Sequence, residues 1–188
     1  APIIIHNGPL IQYMGYWFWG EGKFSSDGNK FASTYYSGKY SLFDFDRCTG
    51  MLSNYRELFG DHQWSACNGP VGLSFSQNDS IAYFNNLDSI WAINLFQSNA
   101  AYLVYLGGSN QSYYYFEMLG PDGQIYLNQG VNVSVNPNAR DYLHVIKNPN
   151  HFGAACNFVY DGIYLNGSHT AYGLPNNPCY EMTSLPGS

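Results

Sequence analysis

Asp44 and Asp46, separated by one residue, are the carboxylate pair in this chain with the clearest spacing for chemistry. Alternate residues of a strand share a face, which would set the two carboxyls about 7 Å apart. An inverting glycoside hydrolase holds its acid and base at such a separation. Both residues also have plainer uses. Asp46 stands directly before the turn Arg47-Cys48-Thr49-Gly50, where a carboxylate accepts backbone N–H groups, and Asp44 can pair with Arg47 or face water. The five histidines, His6, His62, His144, His151 and His169, are dispersed, with no HxH or HExxH spacing for a metal. Cys67 near His62 lacks any local nucleophile signature. There is no G-x-S-x-G elbow and no glycine-rich loop carrying Lys-Ser/Thr. Asp27-Gly28, Asp122-Gly123 and Asp161-Gly162 are single acids at turns, short of the calcium-loop pattern. The expectation is no catalytic residue, no metal and no cofactor.

The elements that carry these residues repeat. Residues 24–31 (FSSDGNKF), 75–81 (FSQNDSI) and 119–125 (LGPDGQI) share an apolar residue, two small or turn-forming residues, Asp or Asn, a turn residue and a return to apolar character. This is hairpin chemistry: Asp27-Gly28, Asn78-Asp79 and Asp122-Gly123 supply the positive φ of a tight turn. The middle copy lacks the glycine. Each hairpin precedes a short apolar run, 42–46 (LFDFD), 90–94 (IWAIN) and 143–147 (LHVIK), in which His144 stands where the others have Phe43 and Trp91. The unit is three or four antiparallel strands in about 44 to 51 residues, the size of one propeller blade. The predicted fold is all-β, a propeller-like array of about three to four blades, with repeats over 16–58, 59–108 and 109–160 and a further blade or closure over 161–188.

Composition agrees with that architecture. The chain has 188 residues, 45% hydrophobic and 18% aromatic, with only 11% charged, a mixture that favours stacked β-sheets over helical bundles. Clusters such as 16–19 (YWFW) and 113–116 (YYYF) read as packing between blades, or as an exposed sugar platform built from Trp17, Trp19, Trp64 and Tyr113. Seven basic residues against thirteen acids, a net charge of −6, cannot make a phosphate-binding footprint, so neither nucleic acid nor an anionic membrane is an expected partner. No apolar run reaches the length of a membrane-spanning helix. The opening APIIIHNGPLI reads as a mature or excised segment. Four cysteines suggest an oxidising compartment. Proximity pairs Cys48 with Cys67 and Cys156 with Cys179, against the alternative of free buried thiols. Sequons start at Asn78, Asn110, Asn132 and Asn166.

The stretches 22–32 (GKFSSDGNKFA), 41–54 (SLFDFDRCTGMLSN), 119–128 (LGPDGQIYLN), 142–158 (YLHVIKNPNHFGAACNF) and 172–182 (YGLPNNPCYEM) resemble the propeller-like region of large secreted or surface proteins of Bacteroidetes, exported by type IX secretion alongside gliding-motility-associated proteins. The resemblance implies a non-catalytic module at the cell surface or outer face of the outer membrane. Its partners would be other surface or secretion proteins, glycans, or the remaining blades of the same polypeptide. The alternatives are a glycan-cleaving enzyme on the same scaffold and a structural spacer of a large adhesin. Either the chain closes as a compact four-bladed ring, or it is one portion of a larger propeller.

Overall fold

The computed structural model describes residues 20–35, 39–58, 71–86, 89–97, 101–107, 113–130, 141–170 and 174. Trp17, Trp19, Trp64, Cys67 and Cys179 lie outside them, as does the side chain of Tyr113. The chain is all-β. Sheet A comprises β1 (Gly22–Phe24), β2 (Lys30–Tyr35), β3 (Lys39–Asp46) and β4 (Met51–Glu57). Sheet B comprises β5 (Leu73–Phe75), β6 (Ile81–Asn85), β7 (Ser89–Asn94) and β8 (Ala101–Leu106). Sheet C comprises β9 (Tyr113–Leu119), β10 (Ile125–Gly130), β11 (Tyr142–Ile146) and β12 (Phe158–Tyr164). Each is a four-stranded antiparallel meander in chain order, and the first strands adjoin, β5 lying against both β1 and β9. This is a partial propeller-like array whose inner edges converge.

The alternation of side chains explains why sheet B sits in the middle. Leu73, Phe75, Ala82, Phe84 and Ile93 pack with Ala32, Tyr40 and Leu42 of sheet A. Ile81, Tyr83, Ile90 and Ala92 point the other way and pack with Ile125, Leu127 and Ile146 of sheet C. Every residue of β6 is therefore buried, as a strand covered on both faces must be. Aromatic rings bridge the sheets: Tyr40 meets Phe84 at 4.0 Å between centroids, and Tyr105 meets Phe158 at 5.0 Å. A second aromatic set, Phe24, Phe31, Phe43, Phe45 and Tyr55, lines the opposite face of sheet A.

The three hairpins occupy equivalent places between the first and second strands. In the first, Gly28 N–H donates to Ser25 O, Lys30 N–H to Ser25 Oγ and Asn29 N–H to Asp27 Oδ1. In the second, Asp79 N–H donates to Ser76 O, Ile81 N–H to Ser76 Oγ and Ser80 N–H to Asn78 Oδ1. The third has no Ser at the first position, yet Gly123 N–H still donates to Gly120 O and Gln124 N–H to Asp122 Oδ1. The left-handed residue is Gly28 (φ 70°), Asp79 (φ 55°) and Gly123 (φ 76°). A β-carbon at Gly123 would lie 2.6 Å from Gln77 Oε1 of the neighbouring hairpin. Gly123→Ala is expected to destabilise by about 1 kcal/mol, nearly all of it backbone strain, because Gln77 is exposed and its flexible amide can swing aside. The loss should match that of Gly50→Ala, where φ is +72° and the space is open, and adding Gln77→Ala should change it little; urea midpoints of the three variants check this.

Two sequence expectations need correction. The break expected after residue 160 falls inside sheet C, because β12 continues to Tyr164. Asp161-Gly162 is not a turn between units but part of a bulge: the β11–β12 register shifts between Leu143 and Val145, Asp161 has φ 51°, and Gly162 lets Val145 Cγ2 approach. Sheets A and B shift register at the matching place, between Leu42 and Asp44 and between Ile90 and Trp91. The expected pairs Cys48–Cys67 and Cys156–Cys179 each include a cysteine outside the described residues; Cys48 and Cys156 themselves carry free thiols. Cys48 is exposed on a turn whose shape is set by Asp46 accepting the Cys48 and Thr49 N–H groups. Cys156 ends a short 3-10 turn, Gly153–Cys156, and is buried between sheets B and C, where burial pushes its thiol up.

Candidate functional site

The residues singled out beforehand as a carboxylate pair do structural work. Asp44 sits 3.3 Å from Lys30 Nζ and accepts Asn54 Nδ2–H at 2.8 Å. Those hydrogen bonds and the ammonium hold its carboxyl below the usual range. Asp46 caps its turn and is lowered by the same kind of bond. Among the described residues, no group of three His, Cys, Asp or Glu side chains could hold a metal ion.

The site that does converge was missed in the sequence: Glu21, Lys23, Tyr40, Asn85 and Glu117, at the inner edge where the sheets meet. Glu21, just before β1, accepts Leu73 N–H of β5 at Oε2 (2.9 Å), and its Oε1 lies 2.8 Å from Lys23 Nζ. Lys23 reaches across to donate to the backbone oxygen of Glu117 on β9. Asn85, at the end of β6, touches all three sheets. Its Oδ1 accepts Gly72 N–H, its Nδ2 donates to Glu117 Oε1 at 2.9 Å, and its backbone oxygen accepts the Tyr40 hydroxyl at 3.2 Å. Glu117 is fully buried, and its Oε2 has no hydrogen-bond partner among the described residues. Burial pushes the Glu117 carboxyl up to about 8, against the lowering pull of Asn85 and Lys23. Burial also raises Glu21 despite its ion pair, and lifts Tyr40 well above the phenol range. A carboxylic acid kept neutral near pH 7 beside an ion pair is the equipment of proton transfer. Its burial makes it equally the equipment of a structural joint.

A second buried polar group lies in sheet C. His144 is wholly buried; its ring stacks on Tyr160 at 4.4 Å, Nε2 meets Gln129 Oε1 at 2.9 Å, and Nδ1 accepts Asp161 N–H at 2.9 Å. The Asp161 contact demands a bare Nδ1, so the proton sits on Nε2 and the ring is neutral. Burial lowers its pKa to about 4. Between that value and the ordinary 6.5 the unfolded chain binds a proton that the native one excludes. The contribution is complete above pH 6.5 and is lost as pH falls towards 4, by about 3 kcal/mol in all. His144→Gln should flatten the acid limb of a stability–pH curve measured by urea unfolding.

At the turn-bearing end, Asp79 extends its carboxylate to the neighbouring hairpin: Oδ1 accepts Ser26 N–H (2.8 Å), and Oδ2 accepts Asp27 N–H (3.0 Å) and lies 2.7 Å from Ser26 Oγ. Asn78 N–H donates to Asn150 Oδ1 in the β11–β12 connection, and the Tyr83 hydroxyl donates to Pro149 O of the same segment. Asp27, Asn78 and Asp122 each brace their own turns. The missing glycine of the middle repeat is therefore a clamp between sheets.

No family model and no curated protein matches the chain. Among solved structures it is similar to the holo PQQ domain of pyranose dehydrogenase from Coprinopsis cinerea, at 11% identity and a TM-score of 0.50, over 67% of this chain and 32% of that one. It is also similar to a putative 6-phosphogluconolactonase from Bacteroides uniformis (15% identity, TM-score 0.44, 65% and 37% covered). A third similar structure is the Cps50 (Swd1) β-propeller domain of Myceliophteria thermophila (14% identity, TM-score 0.45, 72% and 37% covered). The chain spans about a third of each of these structures. At such identity the likeness concerns the fold alone.

Proposed function

We propose that the chain is a non-catalytic interaction module of a secreted or cell-surface protein, a rigid partial propeller presenting its loops to surface or secretion proteins or to glycans. The observation that carries this reading is the locked end of the array. Asp27, Asn78, Asp79 and Asp122 spend their side chains on holding hairpins and joining neighbours, so the connections between third and fourth strands leave from a fixed platform. One of them presents Phe96, 74% exposed, with its N–H and that of Gln97 tied to Asn94 Oδ1. Rigidity of this kind lowers the ordering cost of binding, and low charge suits neutral partners. The likeness of 22–32, 41–54 and 142–158 to type IX-exported surface proteins supports the location, and the fractional span supports further blades as neighbours.

The second reading, a glycan-cleaving enzyme on the same scaffold, is favoured by the convergence of Glu21 and Glu117, both raised by burial. A glycan array and a surface-protein overlay, run beside a hydrolysis assay on every glycan bound, separate the two. The module binds without consuming ligand, and Phe96→Ala weakens binding about tenfold, the loss expected for an aromatic contact. Turnover that vanishes in Glu117→Gln would establish the enzyme instead. Neither binding nor turnover would leave the spacer.

A further inference from the structure

The charges around the inner joint do not balance if every group ionises. The Lys23 ammonium is already neutralised by Glu21 at 2.8 Å, and its contact with Glu117 goes to the backbone oxygen, not to the carboxyl. The other groups facing that carboxyl from the packed elements are Tyr40 of β3, Tyr83 and Asn85 of β6, two phenols and an amide. None can supply a positive charge. An ionised Glu117 would be a buried carboxylate with one amide N–H and nothing on Oε2, an arrangement that proteins avoid by keeping the proton. Asn85 holds Glu117 while also holding Gly72 and, through its backbone oxygen, Tyr40.

We propose that Glu117 is a proton-operated lock: as a neutral acid it lets the inner edges of the three sheets close on one another, and its ionisation in mild base loosens the joint. The device stands independently of what the loops bind. An unfolded glutamate ionises near the ordinary 4.5, and the native one near 8. Between those values the native state holds a proton that the unfolded chain has released, so stability is full at or below pH 4.5 and falls as pH rises to about 8, then levels.

Wild type, Glu117→Gln and Glu21→Gln are compared by urea unfolding from pH 4.5 to 9.5. The ratio of the wild-type to the Glu117→Gln folding constant should fall by about tenfold per pH unit up to pH 8, on the order of a thousandfold in total. Glu21→Gln removes a neighbouring negative charge and leaves Lys23 unpaired, so it should shorten that limb without abolishing it. A ratio constant within about threefold overturns the proposal. Should Glu117→Gln not fold, carbon-13 NMR of the side-chain carboxyl in the wild-type chain decides alone. The Glu117 resonance should titrate near pH 8, and complete ionisation by pH 6 overturns the lock.

Discussion

Asn85→Ala is expected to lower the folding free energy by about 4 kcal/mol, although it removes only a small polar side chain. Asn85 is fully buried. Its alanine variant keeps the backbone oxygen that the Tyr40 hydroxyl and Val71 N–H donate to. What disappears is the side chain's acceptor for Gly72 N–H and its donor to Glu117 Oε1. Both partners stay buried, so each loses a hydrogen bond without gaining water, at about 1–3 kcal/mol apiece, and a small void adds to the loss. Asn85→Asp separates the two lost contacts. It preserves the acceptor but sets a second carboxyl against Glu117, so it should be milder at pH 5 than at pH 8. A loss below about 1 kcal/mol for the alanine variant would show that the joint does not hold the sheets together.

Asp79→Gly is expected to cost about as much, roughly 4 kcal/mol. Glycine keeps the left-handed backbone at this position (φ 55°) without strain. The variant therefore isolates the carboxylate and its three contacts to the neighbouring hairpin. Hydrogen bonds to a charged acceptor contribute about 1.5–3 kcal/mol each and do not add fully. Asp79→Asn, with one acceptor oxygen, should fall between wild type and glycine, and Ser26→Ala should be mildest because it leaves both backbone donors in place. Thermal and urea unfolding of the series test that order; a glycine variant as stable as wild type would mean that the middle turn closes for itself alone.

These two residues mark the boundary of what could be read from the chain. The hairpins at 24–31, 75–81 and 119–125 were legible because a tight turn writes its needs locally, in Asp, Asn and Gly at fixed offsets. The third strands were legible through short apolar runs between turns, and the aromatic richness through the demand of sheets covered on both faces. Asp79 looked like a flaw in the repeat, since its partners Ser26 and Asp27 lie on another sheet and no local rule connects them. The Glu21, Lys23, Asn85 and Glu117 joint carries no motif, because its members come from three separated repeats and meet only when the inner edges converge. Asp161-Gly162 misled in the opposite sense: the same dipeptide that makes a turn also makes a bulge, and only the pairing of β12 with Val145 decides between them. The place of Cys156, facing the core between sheets B and C, was not legible from its spacing either.

Turn clamps and the inner joint are expected to bind the three similar sheets into one cooperative body. Native-state hydrogen exchange at pH 6 tests it most directly, read at the amides of β2, β6 and β10, the second strand of each sheet. One common opening free energy is expected for the three strands, equal to that of global unfolding and lowered together by Asp79→Gly. Three separate values, with only the strand nearest the substitution responding, would contradict it.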